Sequence, residues 1–170
     1  MLTITNVVVQ AQLNVNLDLY KLVHSLNNVK YNPKRFSAMI WHHKRIGGSC
    51  LLFKNGQMIC NGAKSWEEAR NKVRKYSRVL QKLGYPVSLS YVKLITASAV
   101  ANLEKVLDLP SFLTLPGCAY EPELFNAAVF YRNSVHFSCF STGKIVITGI
   151  TSLKLIDRVV YPTLMEIELL

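Results

Sequence analysis

The chain has 170 residues, half of them hydrophobic, and carries 20 Lys and Arg against 10 Asp and Glu, a formal net charge of +10. That length supports one domain with a sizeable core, and no apolar stretch is long enough to cross a bilayer. Its four cysteines, Cys50, Cys60, Cys118 and Cys139, form no C-x-x-C pair. This pattern argues against a disulfide framework or zinc centre and for reduced, structural thiols in an intracellular protein. Nothing at the N-terminus reads as a signal peptide.

Leu2 to Leu13 alternates and is β-branched, which predicts a strand. Asp18 to Leu26 puts Leu19, Leu22, Val23 and Leu26 on one face of a short helix. Three strand-like runs follow, at Ser37–Lys44, Cys50–Phe53 and Met58–Cys60, with Lys54-Asn-Gly56 as a hairpin turn between the last two. Ser65, with Glu68 three residues on, predicts the capped start of a helix that runs to about Leu83 and stops at Gly84 before Pro86. Its buried face is read as Ala69, Val73, Tyr76, Leu80 and Leu83, its solvated side as Arg70, Arg74, Arg78 and Lys82 with Lys72 and Lys75 alongside. The second half repeats the order: a strand at Lys93–Leu103, a short helix near Pro110–Leu115, strands at Ala127–Arg132, Val135–Phe140 and Lys144–Thr148, and a final helix from about Ser152.

Short phrases repeat as well. Tyr31-Asn-Pro-Lys-Arg-Phe36 returns as Tyr120-Glu-Pro-Glu-Leu-Phe125, and Phe53-Lys-Asn-Gly56 returns as Phe140-Ser-Thr-Gly143. Two ordered echoes at nearly one offset indicate a duplicated unit, taken as residues 1–92 and 93–170 of one continuous domain. Strand, helix, meander, helix, twice over, predicts an α+β fold in which two pseudo-symmetric repeats form one curved antiparallel sheet with helices on one face. The other face, left uncovered, needs a partner. Charge suggests which: residues 1–92 hold 14 basic and 3 acidic side chains, residues 93–170 hold 6 and 7. A strongly basic half reads as a surface for a polyanion, nucleic acid before membrane.

Several segments in order resemble the saddle core of the TATA-box-binding protein family: Tyr31–Phe36, Ile59–Ser65, Arg74–Arg78, Gln81–Pro86, Tyr120–Phe125 and Gly143–Gly149. The resemblance covers essentially the whole chain, closely in the first half and more distantly in the second. It implies a general transcription initiation factor, located in the nucleus, that binds and bends A·T-rich, TATA-like promoter DNA through the minor groove. The positions matching the family's intercalating wedges are Phe36 and Phe53, then Phe125 and Phe140. Those matching the groove-lining surface are Asn6, Val8, Leu51, Ile59 and Asn61, then Thr96, Ser98, Ser138, Val146 and Thr148. Thr96, where the family has a second central asparagine, and Asn61, where it has threonine, depart from the pattern, as does Ser138.

Phosphate contacts are expected at Arg35, His42, Lys44 and Ser49. By the resemblance, the convex helix with Arg70, Arg74, Arg78 and Lys82, and the acidic second stirrup with Glu121, Glu123 and Leu124, would meet protein partners. Those partners would be transcription factors IIA and IIB and associated factors. Off DNA, the apolar open face favours a homodimer. No cofactor or metal is expected, and the absence of nucleophile, P-loop or paired-carboxylate logic argues against an enzyme. Two alternatives stand: a paralogue with altered or partner-dependent DNA specificity, and a protein–protein scaffold that has lost DNA binding.

Overall fold

A computed structural model describes residues 1–170. Nine strands, three α-helices, one 3-10 helix and one π-helical turn follow in chain order. The first three strands and helix are β1 (Leu2–Gln12), α1 (Leu19–Ser25), β2 (Val29–Lys30) and β3 (Met39–Trp41). Then come β4 (Ser49–Leu52), β5 (Gln57–Ala63) and α2 (Trp66–Lys82). The second half holds β6 (Val92–Asn102), a 3-10 helix at Leu109–Thr114, β7 (Ala127–Arg132), β8 (Val135–Phe140) and β9 (Lys144–Ile150). A π-helical turn at Ile156–Val160 leads into α3 (Tyr161–Glu168). All nine strands are counted in one sheet, as the α+β reading expects.

The chain divides into two compact units. One is Asn6–Ile95; the other is Thr96–Leu170 with Met1–Thr5. In the first the strand order is β2-β3-β4-β5-β1, in the second β6-β9-β8-β7. The pairs β2–β3, β3–β4, β4–β5, β1–β5, β6–β9, β7–β8 and β8–β9 are all antiparallel.

The duplication extends to individual hydrogen bonds. Leu13 N donates to Gly56 O at 2.9 Å and Leu103 N to Gly143 O at 3.0 Å. Leu17 N reaches Lys54 O, and Leu107 N reaches Ser141 O, both at 2.9 Å. Each first strand ends in an amide side chain, Gln12 or Asn102, that accepts from the backbone two residues on. That acceptor holds Asn14 (φ 54°) and Glu104 (φ 55°) in the left-handed region, where a non-glycine residue needs local support.

Alternation along the strands divides core from open face. On β1, Val7, Val9 and Ala11 are buried, while Asn6, Val8 and Gln10 are half-exposed. Helix α2 covers the buried side of its unit with Ala69, Val73, Tyr76 and Leu80, and Tyr76 meets Trp41 edge-on at 4.7 Å. Its start is capped by Ser65 as expected, Ser65 Oγ accepting from Glu68 N, while Glu68 Oε2 accepts from Lys64 N, one residue before the cap.

Four expectations are corrected. Leu83 is 43% exposed rather than buried, because the α2 C-cap there turns the chain out toward Gly84. Lys72 leaves the solvated stripe: it is buried, its Nζ donating to Ile46 O at 2.6 Å. The strand expected over Ser37–Lys44 shrinks to Met39–Trp41, since the backbone beyond it folds into the turn that Lys72 and Tyr76 hold. The helix near Pro110 is a 3-10 turn with Pro110 in its first turn and no side-chain cap.

Candidate nucleic-acid interface

Two phenylalanine pairs stand at matching places. In the first repeat, Asn32 O accepts from Arg35 N and Phe36 N, both at 3.0 Å, closing a turn that presents Phe36. In the second, Glu121 O accepts from Leu124 N and Phe125 N, both at 2.9 Å, and presents Phe125. Phe36 lies 6.2 Å from Phe53 at 70° between ring planes; Phe125 lies 5.8 Å from Phe140 at 74°. Phe36 is 45% exposed and Phe125 49%. A large flat apolar ring held half in water is poised to bury itself against something flat.

Strand register assembles the surface between β1 and β4. Leu51 pairs with Ile59, and Ile59 with Gln10. All three are half-exposed, as are Asn6, Val8 and Asn61. The two asparagines are held in place. Asn6 Oδ1 accepts from Gly62 N at 2.8 Å. Asn61 Oδ1 accepts from Ser49 N at 3.2 Å and Ser49 Oγ at 2.8 Å. Ser49, expected at a phosphate, is nearly buried and gives its hydroxyl to Asn61 instead.

On the second unit, Val146 pairs with both Ser138 and Val100, while Thr148 pairs with His136. Thr96, Ser98, Val146 and Thr148 are half-exposed, whereas Ser138 is nearly buried at 8%. His136 was not anticipated, nor was Gln10, whose Nε2 donates to Tyr91 Oη at 3.1 Å. Counting back by twos from Phe140 along β8 reaches Ser138 and His136, so the signal was present in the strand period.

Around this surface, Arg35, His42 and Lys44 are exposed, and a ring nitrogen of His42 lies 3.3 Å from Gly48 O. On α2, Arg70, Arg74, Arg78 and Lys82 are exposed and none joins an ion pair. Glu121, Glu123 and Leu124 are exposed at the second turn, Leu124 at 81%. The cysteines do not belong to the site. Cys50 and Cys60 are buried cross-strand partners; burial, and then the neighbouring Cys60, push the Cys50 thiol well above its ordinary range.

Comparison with known proteins gives one consistent result. The family model described as "Transcription factor TFIID (or TATA-binding protein, TBP)" matches residues 1–83 and 92–168. TATA-box-binding protein 2 of Entamoeba histolytica is 37% identical over 169 residues, spanning 95% of this chain and 80% of that one. The TATA-box-binding protein of Acetabularia peniculus is 32% identical over 168 residues, spanning 95% and 88%. Among solved structures, Methanococcus jannaschii TBP superposes with a TM-score of 0.89 at 30% identity, covering 99% of each chain.

Proposed function

Because this chain belongs to the TATA-binding protein family, whose members are transcription factors and not enzymes, we propose that it seats A·T-rich promoter DNA on its open sheet face. There it would kink the duplex by driving Phe36 with Phe53, and Phe125 with Phe140, between base steps. Minor-groove wedging is the mode described for the family in general; what supports it in this chain is the recurrence of one ring-pair geometry in both repeats. An inserted ring replaces stacking lost at the opened step, which costs about a few kcal/mol per step. Leu51, Ile59 and Val146 suit the floor of a groove that lacks guanine amino groups. Arg35, His42 and Lys44 are assigned to phosphates.

The unpaired basic stripe of α2 and the acidic turn at Glu121–Leu124 are assigned to protein partners: transcription factors IIA and IIB and associated factors in a nuclear initiation complex. Off DNA, a second copy is the natural cover for the open apolar face.

The test is a binding titration at fixed salt on a TATA duplex and a G·C-rich control, with energy transfer between labelled DNA ends to report bending. Selective bending that disappears when Phe36 and Phe125 are both changed to Ala supports the reading. Binding that ignores sequence and both rings would transfer the assignment to the protein–protein scaffold.

A further inference from the structure

We propose that His136, paired across the strands with Thr148, is a specificity-determining residue. It admits a guanine amino group to the minor groove against the second repeat, and so fixes which way round the protein lies on an asymmetric site. This rests on the groove-binding reading above.

The argument is one of donors and acceptors. A backbone N–H can only donate, so the Asn6 and Asn61 atoms facing Gly62 N and Ser49 N must be the carbonyl oxygens. Both side chains are therefore locked with Nδ2 as the free group, and the first repeat offers oriented donors. Donors suit adenine N3 and thymine O2 but repel the guanine N2 amino group, itself a donor and the only group that marks G·C in the minor groove.

The second repeat carries no such amide. Thr96 and Thr148 bear hydroxyls that can rotate to accept. His136 adds an imidazole that, when neutral, has one donor and one acceptor nitrogen. Its neighbours Val135 and Phe137 are fully buried on the opposite side, so His136 lies on the open face with Phe140. Tyr131 packs against its ring at 4.7 Å and 61°, and neither ring nitrogen has a partner within the protein. Ser49, one residue inward of Cys50 on the corresponding strand of the first repeat, is already bonded to Asn61. At the matched positions, Asn6 and Asn61 against Thr96 and Thr148, and Ser49 against His136, the two halves therefore differ in what they can accept.

Orientation is the readout. Cys118 is the one half-exposed thiol, the other three cysteines being buried, and it lies in the same unit as His136. A fluorophore on Cys118 and a second at one DNA end report which end lies near that unit. On an A·T-rich duplex with a single G·C pair in one half, the wild type should orient with that half against the second repeat by about tenfold over the reverse, the usual scale of one base-pair mismatch. Moving the pair to the other half should reverse the transfer signal. Replacing guanine by inosine, which lacks the amino group, should abolish the preference. H136V should lose the preference, and H136Q, which keeps an acceptor, should retain it. Orientation blind to the guanine, or unchanged in H136V, would overturn the proposal alone. Failure of the wild type to bind the all-A·T duplex would overturn the groove reading, and this inference with it.

Discussion

Tyr76, on α2, donates its hydroxyl to the carbonyl oxygen of Gly47 at 3.2 Å. The same hydroxyl accepts from His43 N at 3.4 Å, while Lys72 one turn earlier reaches Ile46 O at 2.6 Å. The turn that carries Lys44 is thus anchored by two side chains of a helix on the other side of the sheet. Changing Lys72 to Met leaves the Ile46 carbonyl without its charged donor, and changing Tyr76 to Phe leaves Gly47 likewise. We expect a loss of about 1–3 kcal/mol for each, measured by urea unfolding, and faster amide exchange confined to residues 43–48.

The buried phenol and thiols set the alkaline limit of stability. Burial pushes Tyr76 from 10.0 to about 12 and Cys139 from 9.0 to about 12. A raised folded value means the native state holds its proton longer than the unfolded chain does. Their contribution is whole below pH 9 and is lost as pH rises from about 9 to about 12. Unfolding free energy should fall across that window, and C139A should fall less steeply there. An equal slope for C139A and wild type would contradict it.

Glycine is required at the two matched turns. Gly56 (φ 88°) and Gly143 (φ 93°) lie in the left-handed region, and a Cβ on Gly56 would stand 2.5 Å from Val15 O. On Gly143 it would collide with Lys105 O. G56A and G143A should each destabilise by about 2–4 kcal/mol, and by similar amounts, since the repeats share this contact. Thermal denaturation of both variants checks the match.

Half-exposed rings contribute little to the fold. F36A and F125A should each cost about 1 kcal/mol or less in unfolding free energy, well under the 3–5 kcal/mol of a fully buried phenylalanine. Loss of DNA bending in variants that melt near the wild-type temperature would separate a binding role from a structural one.

Asn61 can be tested by a single atom. N61D keeps an oxygen for Ser49 but removes the free donor and adds a negative charge, so affinity for an A·T duplex should fall by about tenfold or more. S49A, which removes the hydroxyl donor but keeps the backbone N–H bond to Asn61 Oδ1, should lose less. Equal losses would mean that the free Nδ2 donor of Asn61 adds nothing beyond the bond to the Ser49 hydroxyl.

The Ser65 cap of α2, its buried Ala69, Val73, Tyr76 and Leu80, the alternation of β1 and the Asn-Gly hairpin turn are all local signals, and each appears where its residues predict it. The repeat was legible for the same reason: Phe36 and Phe125 sit in copies of one phrase. Lys72 was misplaced because its charge assigns it to water, although its spacing, three after Ala69 and four before Tyr76, puts it on the buried face. The acceptor that makes this burial tolerable, Ile46 O, is brought there by a turn 26 residues away in sequence.

By itself, then, the sequence determined the fold class, the family and the recurrence of a phenylalanine pair in each repeat, because periodicity, turn chemistry and repeated phrases are written in residues close along the chain. Tertiary structure alone decided that Ser49 bonds Asn61, which atom of each asparagine is tied down, and that His136 pairs with Thr148. Those facts depend on strand register and on hydrogen bonds between distant segments, neither of which leaves a local trace.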